Sequence, residues 1–291
     1  MLRVPQARRR HRHGHLPQSL LNVVLHTYLT PADPPRCYTS PKRGVAIGMA
    51  ISHPEDLQAL APGVTWFNNW AIFTNIPPHL RPSITFFPLT WGAKGVRALS
   101  ADTMAEPGGV LVGFNEPNWH RVEPEFAAEM WGEVIAAAKK YNGKVSEMGV
   151  KARRDAVLGI TWMRDFIAAC ERLYGTAAID YINIHSYTCS THALDFNIRE
   201  HVRAFPGKKI IITEIACGQA MRNGHPRQQL SFMKQVIPYL ENSEDVVYYS
   251  WYNGPRPTAR KPAPHGAPTL FGLEPGQLTP LGREYRKRVC V

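Results

Sequence analysis

No stretch of this 291-residue chain reaches the roughly 18–20 consecutive apolar residues that cross a bilayer, so no membrane-spanning helix is expected. No G-x-G-x-x-G and no P-loop occurs, which removes the usual fingerprints of a dinucleotide- or nucleotide-binding sheet. No N-x-[ST] sequon is present. The apolar run Leu20–Leu29 is broken by Asn22 and His26 and lacks a following small-x-small site, a poor signal peptide. The five cysteines (Cys37, Cys170, Cys189, Cys217, Cys290) show no C-x₂-C spacing, and their odd number leaves at least one unpaired in a monomer. Whether Cys170, Cys189 or Cys217 pair is left open.

Acidic residues are also in short supply, 23 against 34 basic ones, for a net charge of +11. That excess is confined to the ends. Residues 1–44 carry eight Lys/Arg and the single acid Asp33, and Arg283–Arg288 carries four basic residues and one acid, so the stretch between them is near neutral. A phosphate-binding footprint would cover a folded face, so nucleic acid is not an expected partner.

What is present divides at residue 44. Residues 1–43, rich in Arg, His and Pro, show no helical or strand period and read as a basic, disordered leader; His11, His13 and His15 belong to that solvated tail. Residues 44–291 read as one folded domain. Eight apolar, β-branched or aromatic runs follow: 45–50, 64–70, 84–92, 109–117, 145–150, 180–187, 209–216 and 246–253. They are continuously apolar rather than alternating, as strands covered on both faces are. Helical periods alternate with several of them, at 54–60, 123–141, 162–174, 193–205 and 226–240. This is the grammar of an α/β protein, a (β/α)₈ TIM barrel, with a doubly wound open sheet as runner-up. The short link after the second strand contains Ile76-Pro77-Pro78, so one outer helix is expected to be reduced.

A TIM barrel carries its site at the C-terminal strand ends. Those ends hold Trp70, Trp91, Asn115, Glu116, His185, Tyr187, Glu214, Trp251 and Asn253. Glu116 closes an apolar strand just before Pro117, which cannot continue the ladder. Glu214 lies between Ile210–Ile212 and Ile215-Ala216 with no cation nearby in sequence; burying it unpaired would cost several kcal/mol without a function. Two carboxylates facing each other across a barrel mouth suit glycoside hydrolysis.

The runs V-T-W-F-N-N-W (64–70), P-L-T-W-G (88–92), G-F-N-E-P-N (113–118), I-N-I-H-S-Y (182–187), T-E-I-A-C (213–217) and L-T-P-L-G (278–282) together resemble glycoside hydrolase family 128. These are retaining clan A β-1,3-glucanases with an asl1-like glycosyl hydrolase catalytic core. The resemblance implies a β-glucan substrate, Glu116 as acid/base and Glu214 as nucleophile. Trp70, Trp91, Asn115, His185, Tyr187 and Trp251 form the expected substrate-binding set, with Tyr187 also suited to orienting the nucleophile. It implies no metal or cofactor and a monomer; the substrate class favours secretion or a cell-wall location. His185-Ser186-Tyr187-Thr188 lacks the Trp and Gly common there in the family, and Ile215 stands where Phe is usual, departures that bear on subsite number. The alternatives are a non-catalytic carbohydrate-binding barrel and a retaining glycosidase for another β-linkage.

Overall fold

The computed structural model describes the chain apart from residues 1–35, 49–52, 82, 100–105, 107–108, 141–143, 147–149, 152–155, 254–255, 259, 261–262 and 291. Contacts divide the chain into the unit Cys37–Val289, described here, and a second made of Met1–Arg36 with Cys290–Val291.

Eight parallel strands carry the fold: β1 (Arg43–Ala46), β2 (Trp66–Asn68), β3 (Thr85–Phe86 and Leu89–Trp91), β4 (Val110–Phe114), β5 (Lys144–Ser146 and Val150–Lys151), β6 (Tyr181–Ser186), β7 (Lys209–Ile215) and β8 (Val246–Tyr252). Each pairs with its sequence neighbours, and β8 returns to β1. The third strand is interrupted because Pro88 has no N–H to give its ladder. Its first half pairs with β2 and its second with β4. Across the break, Phe87 N–H donates to Phe67 O (2.8 Å) and Val112 N–H to Pro88 O (2.8 Å), so the segment on either side of Pro88 links β2 to β4.

The helices are α1 (Pro54–Leu60), α2 (Ala93–Arg97), α3 (Pro124–Lys140), α4 (Ala156–Tyr174), α5 (Thr191–Ala204), α6 (Gly218–Asn223), α7 (Pro226–Asn242) and α8 (Pro280–Tyr285). Among the described residues between β2 and β3, the helical structure is the 3₁₀ turn Pro78–Leu80, as the prolines there predict. The residues that face the helices, among them Phe67, Leu111, Ile182, Ile210 and Ile212, join one large core with Leu57, Trp131, Phe166 and Phe232. The opposite faces fill the barrel with Trp66, Phe87, Leu89, Val110, Val112 and Ile211. This double burial is why the strands read as unbroken apolar runs. Trp66 stacks on Phe87 at 4.6 Å. It fits because residue 44 is glycine: a Cβ there would lie 2.2 Å from the indole.

Residues 1–35 of the expected leader lie outside the described residues, whereas Arg43, its last member by the sequence pattern, opens β1 and is 2% exposed. Its guanidinium donates to Tyr249 OH (2.8 Å), Tyr285 O (2.8 Å), Lys287 O (2.7 Å) and Glu241 Oε1 (2.7 Å). Glu241 also accepts from Ser40 Oγ (2.8 Å), so the network fastens the start of β1 to α7 and to the end of α8. Arg43→Met leaves Glu241, with a side chain only 7% exposed, without its cation. A loss of about 3–5 kcal/mol is expected, measured by denaturant unfolding, and pairing it with Glu241→Leu should recover much of it. An unfolding midpoint unchanged in the single variant would contradict this account.

Candidate active site

Three strand ends turn in the same unusual way. Trp70 after β2, Trp91 at the end of β3 and Glu116 after β4 all have positive φ, 59°, 62° and 43°. Left-handed backbone at a residue with a Cβ is strained by about 1–2 kcal/mol, and such strain concentrates at functional sites. At Glu116 the turn is held from behind: its carbonyl accepts N–H groups from Trp119 (2.9 Å) and His120 (2.9 Å).

Glu214 reaches the barrel interior by a different device. Strict alternation from Ile211, which faces inward, would place Thr213 inside and Glu214 among the helices. The pairing with β6 slips between Ile212 and Glu214, so that Ile212 faces Ile184 while Glu214 faces His185. Thr213 is the extra residue of this bulge, and both it and Glu214 face the cavity. Bulges re-aim side chains in this way beside active sites.

The two acids meet at His185. One oxygen of each carboxylate and one ring nitrogen of His185 all lie within 4.8 Å of one another. Glu116 Oε1 is 2.9 Å from His185 Nδ1 and Glu214 Oε2 is 3.5 Å from it. Both carboxylates are more than nine-tenths buried. Trp70 Nε1–H donates to Glu214 Oε1 (2.6 Å), and Tyr187 O–H makes a short hydrogen bond to Oε2. Burial first, then the charge of Glu214, pushes the Tyr187 hydroxyl far up, so it remains a donor at any working pH. Tyr252 closes the floor at 5.7 Å from the Trp70 ring and 5.5 Å from Tyr187. Its hydroxyl is also raised, by burial and then by Glu214 and Glu116. The trio has the spacing of a three-ligand ion site, but both Glu214 oxygens already accept protein hydrogen bonds. An oxygen-to-oxygen gap within 4.8 Å suits the roughly 5–5.5 Å carboxyl separation of retaining glycosidases and not the 6.5–9.5 Å of inverting ones.

Against this geometry a profile of the glycosyl hydrolase catalytic core matches residues 44–285. The chain belongs to that family. Among solved structures, an endo-β-1,3-glucanase of glycoside hydrolase family 128 from Pseudomonas viridiflava is 26% identical, with a TM-score of 0.67 over 85% of this chain and 98% of the other. One from Sorangium cellulosum is 27% identical, with a TM-score of 0.68 over 84% and 97%. An endo-β-1,3-glucanase from Amycolatopsis mediterranei, solved with laminaritriose, shares the fold at 22% identity and a TM-score of 0.65 over 84% and 98%. No curated protein sequence matches the chain. The protein is a glycoside hydrolase of family 128 type, as the sequence motifs imply.

The expected substrate-binding set separates into three groups in this glycoside hydrolase. Trp91, 49% exposed, stands open at the mouth with its ring 5.2 Å from that of His120, and half-buried Asn115 stands beside the acid. Trp70, His185 and Tyr187 grip the carboxylates themselves, and His185, 1% exposed, has protein partners at both nitrogens. Trp251 is a correction: it is wholly buried on the helix side of β8, with its indole N–H on Pro268 O (2.9 Å) and Phe232 and Tyr285 around it. Its neighbour Tyr252 takes the cavity side. Counting alternate residues from Tyr248, which packs inside the barrel, through Ser250 to Tyr252 could have found it. Among the cysteines, Cys189 and Cys217 are bonded, tying the loops that follow β6 and β7, and Cys170 is buried.

Proposed function

We propose that this enzyme cleaves β-1,3-glucan by double displacement, with Glu214 as nucleophile and Glu116 as acid/base. The observation that carries this reading is the pair of buried carboxylates held by His185, Trp70 and Tyr187 within reach of one anomeric carbon. Glu214 attacks that carbon while Glu116 protonates the departing oxygen; Glu116 then takes a proton from the water that releases the sugar. Trp70 and Tyr187 point both their donors at a carboxylate that is charged before attack and after release, which orients it and spares it a solvent shell. Asn115, next to the acid, is suited to a sugar hydroxyl. The β-1,3 preference rests on the family resemblance and on the endo-β-1,3-glucanases similar to this chain.

The test is one assay of the purified protein on β-1,3-, β-1,4- and mixed-linkage glucans, with product sizes and the anomer formed first read by NMR. Turnover of β-1,3-glucan with a β-product is expected; an α-product, or no preference for that linkage, overturns the reading.

The exposed aromatics Phe73, Trp91 and Trp119 follow or end β2, β3 and β4 at their C-terminal ends, the end of the barrel that carries the site, and flat rings of this kind are surfaces on which pyranose rings stack. Trp91→Ala is expected to raise KM for polymer by roughly tenfold while changing kcat little, a stacking loss of the usual aromatic size. Trp251→Phe should instead lower thermal stability and leave KM near the parent value. If the two variants exchanged phenotypes, the assignment of rings to mouth and core would be wrong.

A further inference from the structure

Behind the catalytic pair lies a chain of hydrogen bonds whose directions follow from its far end as far as His185 Nε2. The backbone N–H of Thr213 donates to Asn183 Oδ1 (3.3 Å), which makes that atom the amide oxygen. The Thr213 hydroxyl also meets Asn183 Oδ1 (2.9 Å), and an amide oxygen only accepts, so the single hydroxyl proton points there. Thr213 Oγ1 is therefore an acceptor toward His185 Nε2, 3.0 Å away. Nε2 must carry the ring proton. Nδ1 is left facing Glu116 Oε1 at 2.9 Å, with one proton for the two atoms to share.

We infer that Asn183 and Thr213 are positioning residues that hold a proton on His185 Nε2 and thereby keep the proton shared by His185 Nδ1 and Glu116 in place. With Nε2 protonated, Nδ1 and Glu116 Oε1 share one proton, and removing it leaves a lone pair facing a carboxylate, so the pair resists losing that proton as pH rises. Were the proton on Nδ1 instead, the ring would donate to Glu116 and stabilise the carboxylate, disarming the acid before substrate arrives. Among the groups facing Glu116 are Glu214 from β7, Tyr187 from β6 and Tyr252 from β8. The tyrosines are held neutral, and Glu214 disfavours a second negative charge, so none of them reverses this effect. The bulge at Thr213 thus has two products: it swings Glu214 into the cavity and leaves its own hydroxyl facing the histidine.

The inference rests on Glu116 being the acid/base. Thr213→Val keeps the shape and removes the hydroxyl, freeing Nδ1 to take the proton. The high-pH limb of kcat/KM should then move down by about one pH unit, the size of one hydrogen bond to a charged group. Thr213→Ser should restore the parent profile. Independently of activity, ¹⁵N-histidine NMR of the parent protein should show His185, assigned by the signal lost in His185→Gln, protonated at Nε2. A neutral His185 protonated at Nδ1, or a Val variant whose limb stays put or moves up, overturns the inference. Failure of the acid/base assignment has a different signature: the high-pH limb would survive in Glu116→Gln.

Discussion

Glu214→Gln is expected to abolish turnover of β-1,3-glucan and of activated aryl glucosides alike, by roughly 10⁴-fold or more, as removal of a covalent nucleophile does. A better leaving group cannot compensate, because the amide forms no glycosyl–enzyme whatever departs. The variant should fold. Trp70 and Tyr187 would meet one amide oxygen and one amide nitrogen, and the Tyr187 hydroxyl can rotate to accept from the latter. The parent carboxylate is nearly buried, and among the described residues no Lys or Arg is paired with it, an arrangement kept for chemistry rather than stability. An unfolding midpoint equal to or above that of the parent is expected beside the lost activity. Retention of more than a few per cent of turnover would remove Glu214 from the nucleophile's role.

Glu116→Gln should behave differently in kind. A general acid contributes roughly 10²–10⁴-fold, and only where the departing oxygen needs its proton. Polymer hydrolysis should fall by that range. An aryl glucoside with a strongly acidic phenol should still form the glycosyl–enzyme quickly and release it slowly, since water then lacks its base. The expected result is a burst of phenol followed by slow turnover, with a lowered KM and with azide restoring the second step. The high-pH limb of kcat/KM should vanish along with the group that produces it. Equal losses on both substrate types would return Glu116 to a structural role.

The contrast between these two variants explains why both acids were legible in the sequence. Each interrupts an apolar strand where burial of a lone carboxylate would otherwise be unfavourable, and Pro117 stops its strand immediately after Glu116. Trp251 and Tyr252 were harder. Both are aromatic and adjacent, and composition does not say which faces the sugar. Position along the strand does, once the inward face is set by Tyr248. Thr213 and Asn183 carried no signal, since a threonine and an asparagine in parallel strands are unremarkable until their donors and acceptors are traced. The Cys189–Cys217 bond likewise needed the two loops brought together.

The order and apolar character of eight strands, the Pro-rich link in place of a helix and the two acids at strand ends are local properties, and the sequence alone determined them. Tertiary structure decided the rest: the link from β2 to β4 across Pro88, the burial of Arg43 at the start of β1, the sides taken by Trp251 and Tyr252, and the entry of Glu214 into the cavity. The reason is the period of a strand. Side chains alternate strictly, so one inserted residue exchanges inside for outside, and whether a residue is inserted depends on pairing with a neighbouring strand and not on the strand's own composition.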